Sequence, residues 1–352
     1  MTTNTSRITY IDGLRFIAAA MVVLQHYFEH RTGVMTQVVR TLQPGVAGVA
    51  LFFFVSGFII PFSVTRGFNP IDFAIRRVSR IYPLYLVCLV PFAFYQVTGL
   101  GLAARPTFDA VRWIAALLLV SEYVGEKPII GAAWTLPLEF LWYGLFAVFI
   151  TTCRTGVARR LERAIVGVTL ITLVVTLATG VRIPAGRIFM LYAAVIGYKA
   201  FLLTEGEMRL RHFLASVALF VLLLVPSFYL AFQLHSHARV GFAQALYPWL
   251  FGLTLFLLVV LIPRARASPL LCNPIAAYLG AISYSVYLVH GQTYDAIRSV
   301  VPSAWAVPLS MTVTLLLASL TYRLVERSGI DLGRAMSGRI KHRAPTLTVC
   351  HA

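Results

Sequence analysis

Residues 46–65 read Val-Ala-Gly-Val-Ala-Leu-Phe-Phe-Phe-Val-Ser-Gly-Phe-Ile-Ile-Pro-Phe-Ser-Val-Thr, a run without a single charge. A helix of that length rises about 30 Å, the thickness of a bilayer's hydrocarbon core, and lipid is the solvent in which such a run is stable. Similar runs recur outward from it, near 8–28, 81–98, 110–121, 134–152, 164–180, 187–203, 213–233, 242–262, 272–290 and 304–325. The chain of 352 residues is 59% hydrophobic and only 12% charged, against about 25% charged for a soluble domain. That leaves too little polar surface to coat a water-soluble globule. The sequence predicts an all-α, polytopic membrane protein.

Charge placement sets the expected topology. The run at 110–121 is short and flanked by Arg112 and Glu122, so a partial or re-entrant helix is expected there. About ten spans remain, with both termini cytoplasmic. Arg66, Arg76, Arg77, Arg80, the Arg154–Arg163 cluster, Lys199, Arg209, Arg211, Arg264, Arg266 and the C-terminal cations then fall inside. Leaving out Arg15 within the first span, Lys and Arg divide 20 inside against 9 outside, as the positive-inside rule requires. Counting 110–121 as a full span would put the Arg154–Arg163 cluster outside. Residues 1–327 form one transmembrane domain in this reading, and 328–352 a basic tail expected to be disordered. The first run contains Asp12 and Arg15 and lacks a small-residue cleavage site, so it reads as a retained span.

The net charge of +17 sits between apolar runs, where it serves topology and anionic headgroups. No aromatic-interleaved basic module accompanies it, so nucleic-acid binding is not implied. Cys88, Cys153, Cys272 and Cys350 have no metal-ligand spacing, and neither a zinc site nor a disulfide framework is indicated.

An ionisable group within a span costs a few kcal/mol on insertion scales, which makes each one a functional candidate. In Tyr10–His26, Asp12 and Arg15 stand three apart and can pair on one helix face. Arg15 and His26 stand eleven apart, so they share a face roughly 16 Å apart along the axis. Glu29, one turn past His26 if the helix continues, is placed to polarise the imidazole. A structural Asp12–Arg15 pair and an interfacial histidine remain the bland alternative. Ser56-Gly57 permits close approach of another helix or of a narrow ligand. Arg76, Arg77 and Arg80 enter the third run, and Arg77 and Arg80, one turn apart, suit a phosphate as well as they suit a topology cluster. Trp134 and Glu139 open the run at 134–152, where a carboxylate must find a partner or a proton. Tyr284 and His290 lie on the run at 272–290, with His290 expected near its outer end. Arg323 and Glu326 close the last run, where a structural pair is equally open. The topology puts His26, Glu139 and His290 in the outer half, and Arg15, Arg77, Arg80 and Glu326 toward the inner side.

Six strings in register resemble the membrane acyltransferase-3 family, bacterial O-acyltransferases of surface glycans and some natural products. They are Arg15 and His26 with ten residues between, Phe53-Phe54-x-Ser56-Gly57-Phe58, Arg77-x-x-Arg80-Ile81-x-Pro83, Trp134-Thr135-Leu136-x-x-Glu139-Phe140, Ser283-Tyr284-Ser285-x-Tyr287-Leu288-x-His290 and Tyr322-Arg323-x-x-Glu326-Arg327. The resemblance implies a ten-span fold, an acyl-CoA donor, usually acetyl-CoA, and no metal. It implies His26 and Arg15 as essential residues, with Arg77 and Arg80 near the CoA phosphates and Arg76 and Ser56 as further donor contacts. Glu139 joins His26 and Arg15 in the expected catalytic set, supported by Asp12, Glu29, Trp134, Tyr284, His290 and Glu326. In the resulting picture acyl-CoA docks from the cytoplasm on the arginines and His26 acts as general base on an acceptor hydroxyl. An acyl-His26 intermediate is the less favoured variant. The acceptor is a surface polysaccharide or lipid-linked saccharide, or else a glycosylated, macrolide-type small molecule. Some family members carry an esterase-like C-terminal domain; here the acyl group is expected either to be delivered directly or to pass to an esterase-like or glycan-assembly partner, in a bacterial cell membrane. The rival class is a transporter or flippase whose buried charges form an ion relay. No inverted repeat supports it.

Overall fold

The computed structural model describes residues 9–29, 31–62, 67–98, 109–153, 155–234 and 240–341, and the regular elements among them are helical. In chain order they are α1 (Thr9–Phe28), α2 (Val34–Leu42), α3 (Pro44–Phe62), α4 (Pro70–Thr98), α5 (Ala110–Leu117), two 3-10 turns (Ser121–Val124 and Gly131–Thr135) and α6 (Leu136–Thr152). There follow α7 (Val157–Thr179), α8 (Ala185–Thr204), α9 (Leu210–Tyr229), α10 (Phe242–Leu261), the single turn α11 (Pro263–Arg266), α12 (Pro274–Ala281), α13 (Ser283–Arg298), α14 (Ser303–Thr321) and α15 (Arg327–Lys341). A π turn at Leu230–Leu234 extends α9, and another at Tyr322–Glu326 joins α14 to α15. Local chemistry sets several boundaries. The Asn69 amide oxygen accepts the N–H groups of Ile71 and Asp72 and starts α4, and the Asp109 carboxylate does the same for α5, both side-chain caps on otherwise orphaned donors.

Among the described residues, 8 helical segments are long and apolar enough to cross a membrane: α3, Pro70–Phe94 of α4, Gly131–Thr152, α7, α8, Leu210–Gln233, α10 and Ser303–Gly338. Two expected spans are not among them. Helix α1 has 20 residues but its apolarity is diluted by Asp12, Arg15, Gln25 and His26. The run at 272–290 is broken at Ile282 into α12 and α13. Helix α5, with 8 residues, rises only about 12 Å and is too short to cross. The C-terminal expectation needs correction. Residues up to Lys341 continue the last span as a helix instead of a disordered tail, and 342–352 lie outside the described residues. The physical reason is that Gly329 and Gly333 let α15 lie on α4. A Cβ at Gly329 would stand 2.4 Å from the Ser79 carbonyl oxygen, and one at Gly333 would stand 2.7 Å from the Ser79 Cβ.

The chain divides into two compact units, one within Met1–Gly67 and Val148–Ala281 and the other within Phe68–Ala147 and Ile282–Leu347. In the first, α3 is the hub. A Cβ at Gly57 would lie 1.8 Å from the Ala194 carbonyl oxygen, and one at Gly197 would lie 2.0 Å from that of Phe54, so α3 and α8 touch backbone to backbone. Small residues at such crossings are how membrane helices gain packing where lipid gives no hydrophobic drive. Gly48 brings α3 close to α1, where a Cβ would stand 2.5 Å from the Ala18 carbonyl oxygen, and Gly280 brings α12 against Asp12. Helix α1 is thereby held on two sides. Phe54 stacks on Phe256 of α10 at 5.2 Å between ring centroids. Lys199, counted among the inside cations, is buried in α8, ion-paired with Glu162 of α7 and 2.6 Å from the Ser216 hydroxyl of α9.

In the second unit α4 is the hub. The Tyr284 hydroxyl donates to the Ile81 carbonyl at 2.9 Å, Gln292 to that of Cys88 at 3.1 Å, and Tyr85 to that of Ala116 at 2.7 Å. These bonds tie α13 and α5 to α4. Asp72 accepts from Arg76 Nε at 3.0 Å and from the Ser337 hydroxyl of α15. An aromatic layer of Phe68, Phe73, Tyr143 and Phe146 fills the space between α4 and α6.

Candidate active site

Arg76, Arg77, Arg80, Glu139, Arg323 and Glu326 fall into the second unit, and Arg77, Arg80, Glu139 and Glu326 converge. Arg77 is buried on α4, its guanidinium over the Phe73 ring at 5.0 Å and over the Tyr143 ring at 5.4 Å. The Tyr143 hydroxyl donates to Glu139, one turn earlier on α6. Arg80, on the same helix, has Glu326, Tyr143 and Glu139 within electrostatic range. Glu326 is 1% exposed and accepts the Ser285 hydroxyl at 2.8 Å. Tyr284, buried beside them, feels both carboxylates. The result is an arginine pair within electrostatic range of two carboxylates, with aromatic rings against Arg77. Such a cluster can present planar, hydrogen-bonding cations to an anion while the rings hold their orientation.

Several expectations need correction. Glu139 was assigned to the outer half of the membrane, away from Arg77 and Arg80, but it lies within electrostatic reach of both. Its entry turn, Gly131–Thr135, brings it down beside α4. Arg323 is exposed on the π turn while Glu326 faces the interior, which disfavours the structural Arg323–Glu326 pair that the sequence left open. The π turn is the cause: one extra residue in the turn rotates the positions after it and turns Glu326 inward. His290 was expected at an outer end. It is 1% exposed, α13 continues to Arg298, and its Nδ1 lies 2.8 Å from the Tyr287 carbonyl oxygen. Arg76 serves Asp72 and the α15 contact, leaving Arg77 and Arg80 as the pair facing the carboxylates. Trp134 is half-buried in the 3-10 turn, next to Thr135, whose hydroxyl shares a 2.9 Å hydrogen bond with that of Tyr287.

The other candidates belong to the first unit, on α1 and α3. Asp12 and Arg15 approach to 3.9 Å across one helical turn, the loose end of ion-pair geometry. His26, partly exposed, donates from Nδ1 to the Val22 carbonyl at 3.0 Å. A carbonyl only accepts, so Nδ1 carries the proton and the neutral ring's basic lone pair is on Nε2. Helix α1 ends at Phe28, and the Glu29 carboxylate takes a 3.4 Å hydrogen bond from Gln25. Gln25 in turn reaches Gln43 and accepts the Gly45 N–H at 2.7 Å, bracing the His26 end of α1 against the α2–α3 corner. Ser56 is half-buried on α3 beside the Gly57 crossing. Among the described residues no three His, Cys, Asp or Glu side chains gather as metal ligands.

Tyr143, absent from the sequence reading, is the residue that couples Glu139 to Arg77. Its four-residue spacing from Glu139 was the available signal. The Lys199–Glu162 pair, 37 residues apart, carries no local signal at all.

These helices and side chains define a class. The family model described as "Acyltransferase domain", that of the acyltransferase-3 family, matches residues 8–323, and the chain belongs to that family. Among curated relatives, the O-acetyl transferase of Shigella phage Sf6 is 29% identical over 42% of this chain and 47% of its own. The acyltransferase MdmB of Streptomyces mycarofaciens is 28% identical over 44% of this chain and 42% of its own. The exopolysaccharide production protein ExoZ of Rhizobium meliloti is 35% identical over 29% of this chain and 33% of its own. The chain thus spans less than half the length of these relatives. No solved structure matches it.

Proposed function

We propose that the chain is an integral-membrane O-acyltransferase that moves an acyl group, acetyl in the first instance, from acyl-CoA to a saccharide hydroxyl. The observation that carries the chemistry is His26, whose ring is fixed by the Val22 carbonyl so that Nε2 is the base. In the reaction the acceptor oxygen attacks the thioester carbonyl as its proton passes to Nε2. Collapse of the tetrahedral intermediate breaks the C–S bond, and the leaving thiolate takes the proton back from the imidazolium. Hydrogen bonding of Nδ1 to the carbonyl favours the protonated ring at the moment it forms. Arg77 and Arg80 bind the donor's phosphates, and Tyr143, Glu139, Ser285 and Glu326 hold the two guanidiniums in place. Glu139 is therefore assigned to positioning rather than to proton transfer. Arg15, oriented by Asp12, completes the essential charge on α1.

The names of two relatives, an O-acetyl transferase and an exopolysaccharide production protein, support acetyl as the group and a polysaccharide or lipid-linked saccharide as the acceptor. A glycosylated small molecule is the second reading, supported by the comparable likeness to a Streptomyces acyltransferase. Ten spans with both termini cytoplasmic, in a bacterial inner membrane, complete the proposal, with residues 1–327 as the acyltransferase domain. The test is transfer of radiolabelled acetyl from acetyl-CoA by the purified full chain, with saccharide and macrolide acceptors in parallel. Labelled saccharide supports the first reading, and labelled macrolide alone replaces it with the second. Failure of the chain to consume acetyl-CoA with any acceptor removes both.

A further inference from the structure

At the start of α7, Thr155, Gly156, Arg159, Arg160 and Arg163 line an open cleft of about 190 Å³. The three arginines are exposed and none takes part in an ion pair or hydrogen bond among the described residues. The one carboxylate of α7, Glu162, is turned inward to Lys199 and does not neutralise them. The first turn holds no acidic residue and its cap, Gly156, supplies no side-chain acceptor. Cations at a helix N-terminus oppose the macrodipole, so three of them gathered there form a positive site that an anion relieves.

The helix beyond the cleft says which anion. Helix α7 is long and apolar enough to span, and Arg163 stands where its apolar stretch begins, the level at which lipid phosphates lie. Stepping by three or four from Arg160 leads to Val168, Ile171 and Val175, and stepping likewise from Arg163 leads to Leu170, Val174 and Leu177. All six are exposed, Ile171 and Val174 to 64% each. Cationic heads and uncovered apolar faces thus run down the same two sides of one helix.

We propose that this cleft is a binding site for an anionic phospholipid. Its phosphate sits among Arg159, Arg160 and Arg163, and its acyl chains lie along the Val168–Ile171–Val175 and Leu170–Val174–Leu177 faces. The site is separate from the residues assigned to acyl transfer and involves neither CoA nor acceptor.

The test is native mass spectrometry of the full chain in uncharged detergent, titrated with phosphatidylglycerol or phosphatidylcholine and with no acetyl-CoA present. The wild type retains one phosphatidylglycerol in preference to phosphatidylcholine. Replacing Arg159, Arg160 and Arg163 together by Gln lowers that affinity on the order of tenfold. The same replacement at Arg209 and Arg211 leaves it unchanged, which separates a local site from bulk charge. Because the three side chains are exposed and make no hydrogen bond or ion pair among the described residues, the triple variant is expected to keep the fold, and the single Arg160→Gln variant provides a milder check. Ile171→Ser with Val174→Ser weakens retention while leaving the arginines in place. Undiminished phosphatidylglycerol preference in the triple variant overturns the site. Displacement of the lipid by millimolar inorganic phosphate, with Ile171→Ser/Val174→Ser behaving as wild type, makes it a free-phosphate site instead and overturns the lipid assignment. As no acyl donor enters the assay, its failure leaves the transferase proposal standing, and the converse holds equally.

Discussion

Arg77 shows how a single side chain is committed to a task. Its guanidinium is flanked by the faces of Phe73 and Tyr143, and only a planar cation fits that slot while still presenting N–H groups edge-on. Arg77→Lys is therefore expected to behave nearly as badly as Arg77→Ala, raising the KM for acetyl-CoA with a smaller effect on kcat. Steady-state kinetics at varied donor concentration checks this, and full function in Arg77→Lys would deny the stacking a role. Tyr143→Phe separates two contributions, because the ring that supports Arg77 stays and only the hydroxyl donated to Glu139 is lost. A KM rise for the donor smaller than that of Arg77→Ala is expected. Glu139, Arg77 and Arg80 could be picked from the sequence because charges in apolar runs are rare. Their grouping could not, because it depends on a 3-10 turn and a π turn that no periodicity announces. The hydrogen bond of His26 to its own helix backbone was equally hidden, since no sequence pattern announces a ring turned onto the carbonyl one turn before it.

At the level of helices, close crossings carry the first unit. The Cβ of a residue at position 57 would stand 1.8 Å from the Ala194 carbonyl oxygen, and neither helix backbone can yield locally. Gly57→Val is expected to destabilise by about 1–3 kcal/mol or more, the usual cost of overpacking, visible as a lower unfolding temperature in detergent. Ser56→Ala, on the adjacent face, is expected to leave that temperature unchanged. In the second unit Ser285→Ala removes the hydroxyl given to buried Glu326, and an unmade bond to a buried acceptor costs about 1–3 kcal/mol. The same thermal assay reads it. Helical spans were legible because apolar runs of about twenty residues mean little else. The break at Ile282 and the continuation of α15 to Lys341 were not. The first divides an unbroken apolar run, and the second makes a basic, polar segment helical through glycine contacts with α4 that lie some 250 residues away in the sequence.

For the whole molecule, family membership from residue 8 to 323 agrees with the resemblance carried by the six strings, and the helical architecture of the described residues with the reading of composition. Span number follows from the sequence less directly, because α1 pays for its Asp, Arg and His in apolarity and α12–α13 is interrupted. Reporter fusions after Lys341 and after Leu42 test the topology. The C-terminal fusion is expected on the cytoplasmic side and the other outside, and the reverse pattern would overturn the charge-based assignment.

The most direct test of the central claim compares wild type with His26→Ala, following both binding of acetyl-CoA and its acceptor-dependent conversion to free CoA. The account predicts unchanged binding and turnover lowered by roughly 10²–10⁴-fold in His26→Ala. Wild-type turnover in that variant would contradict it, and so would loss of turnover explained entirely by loss of donor binding.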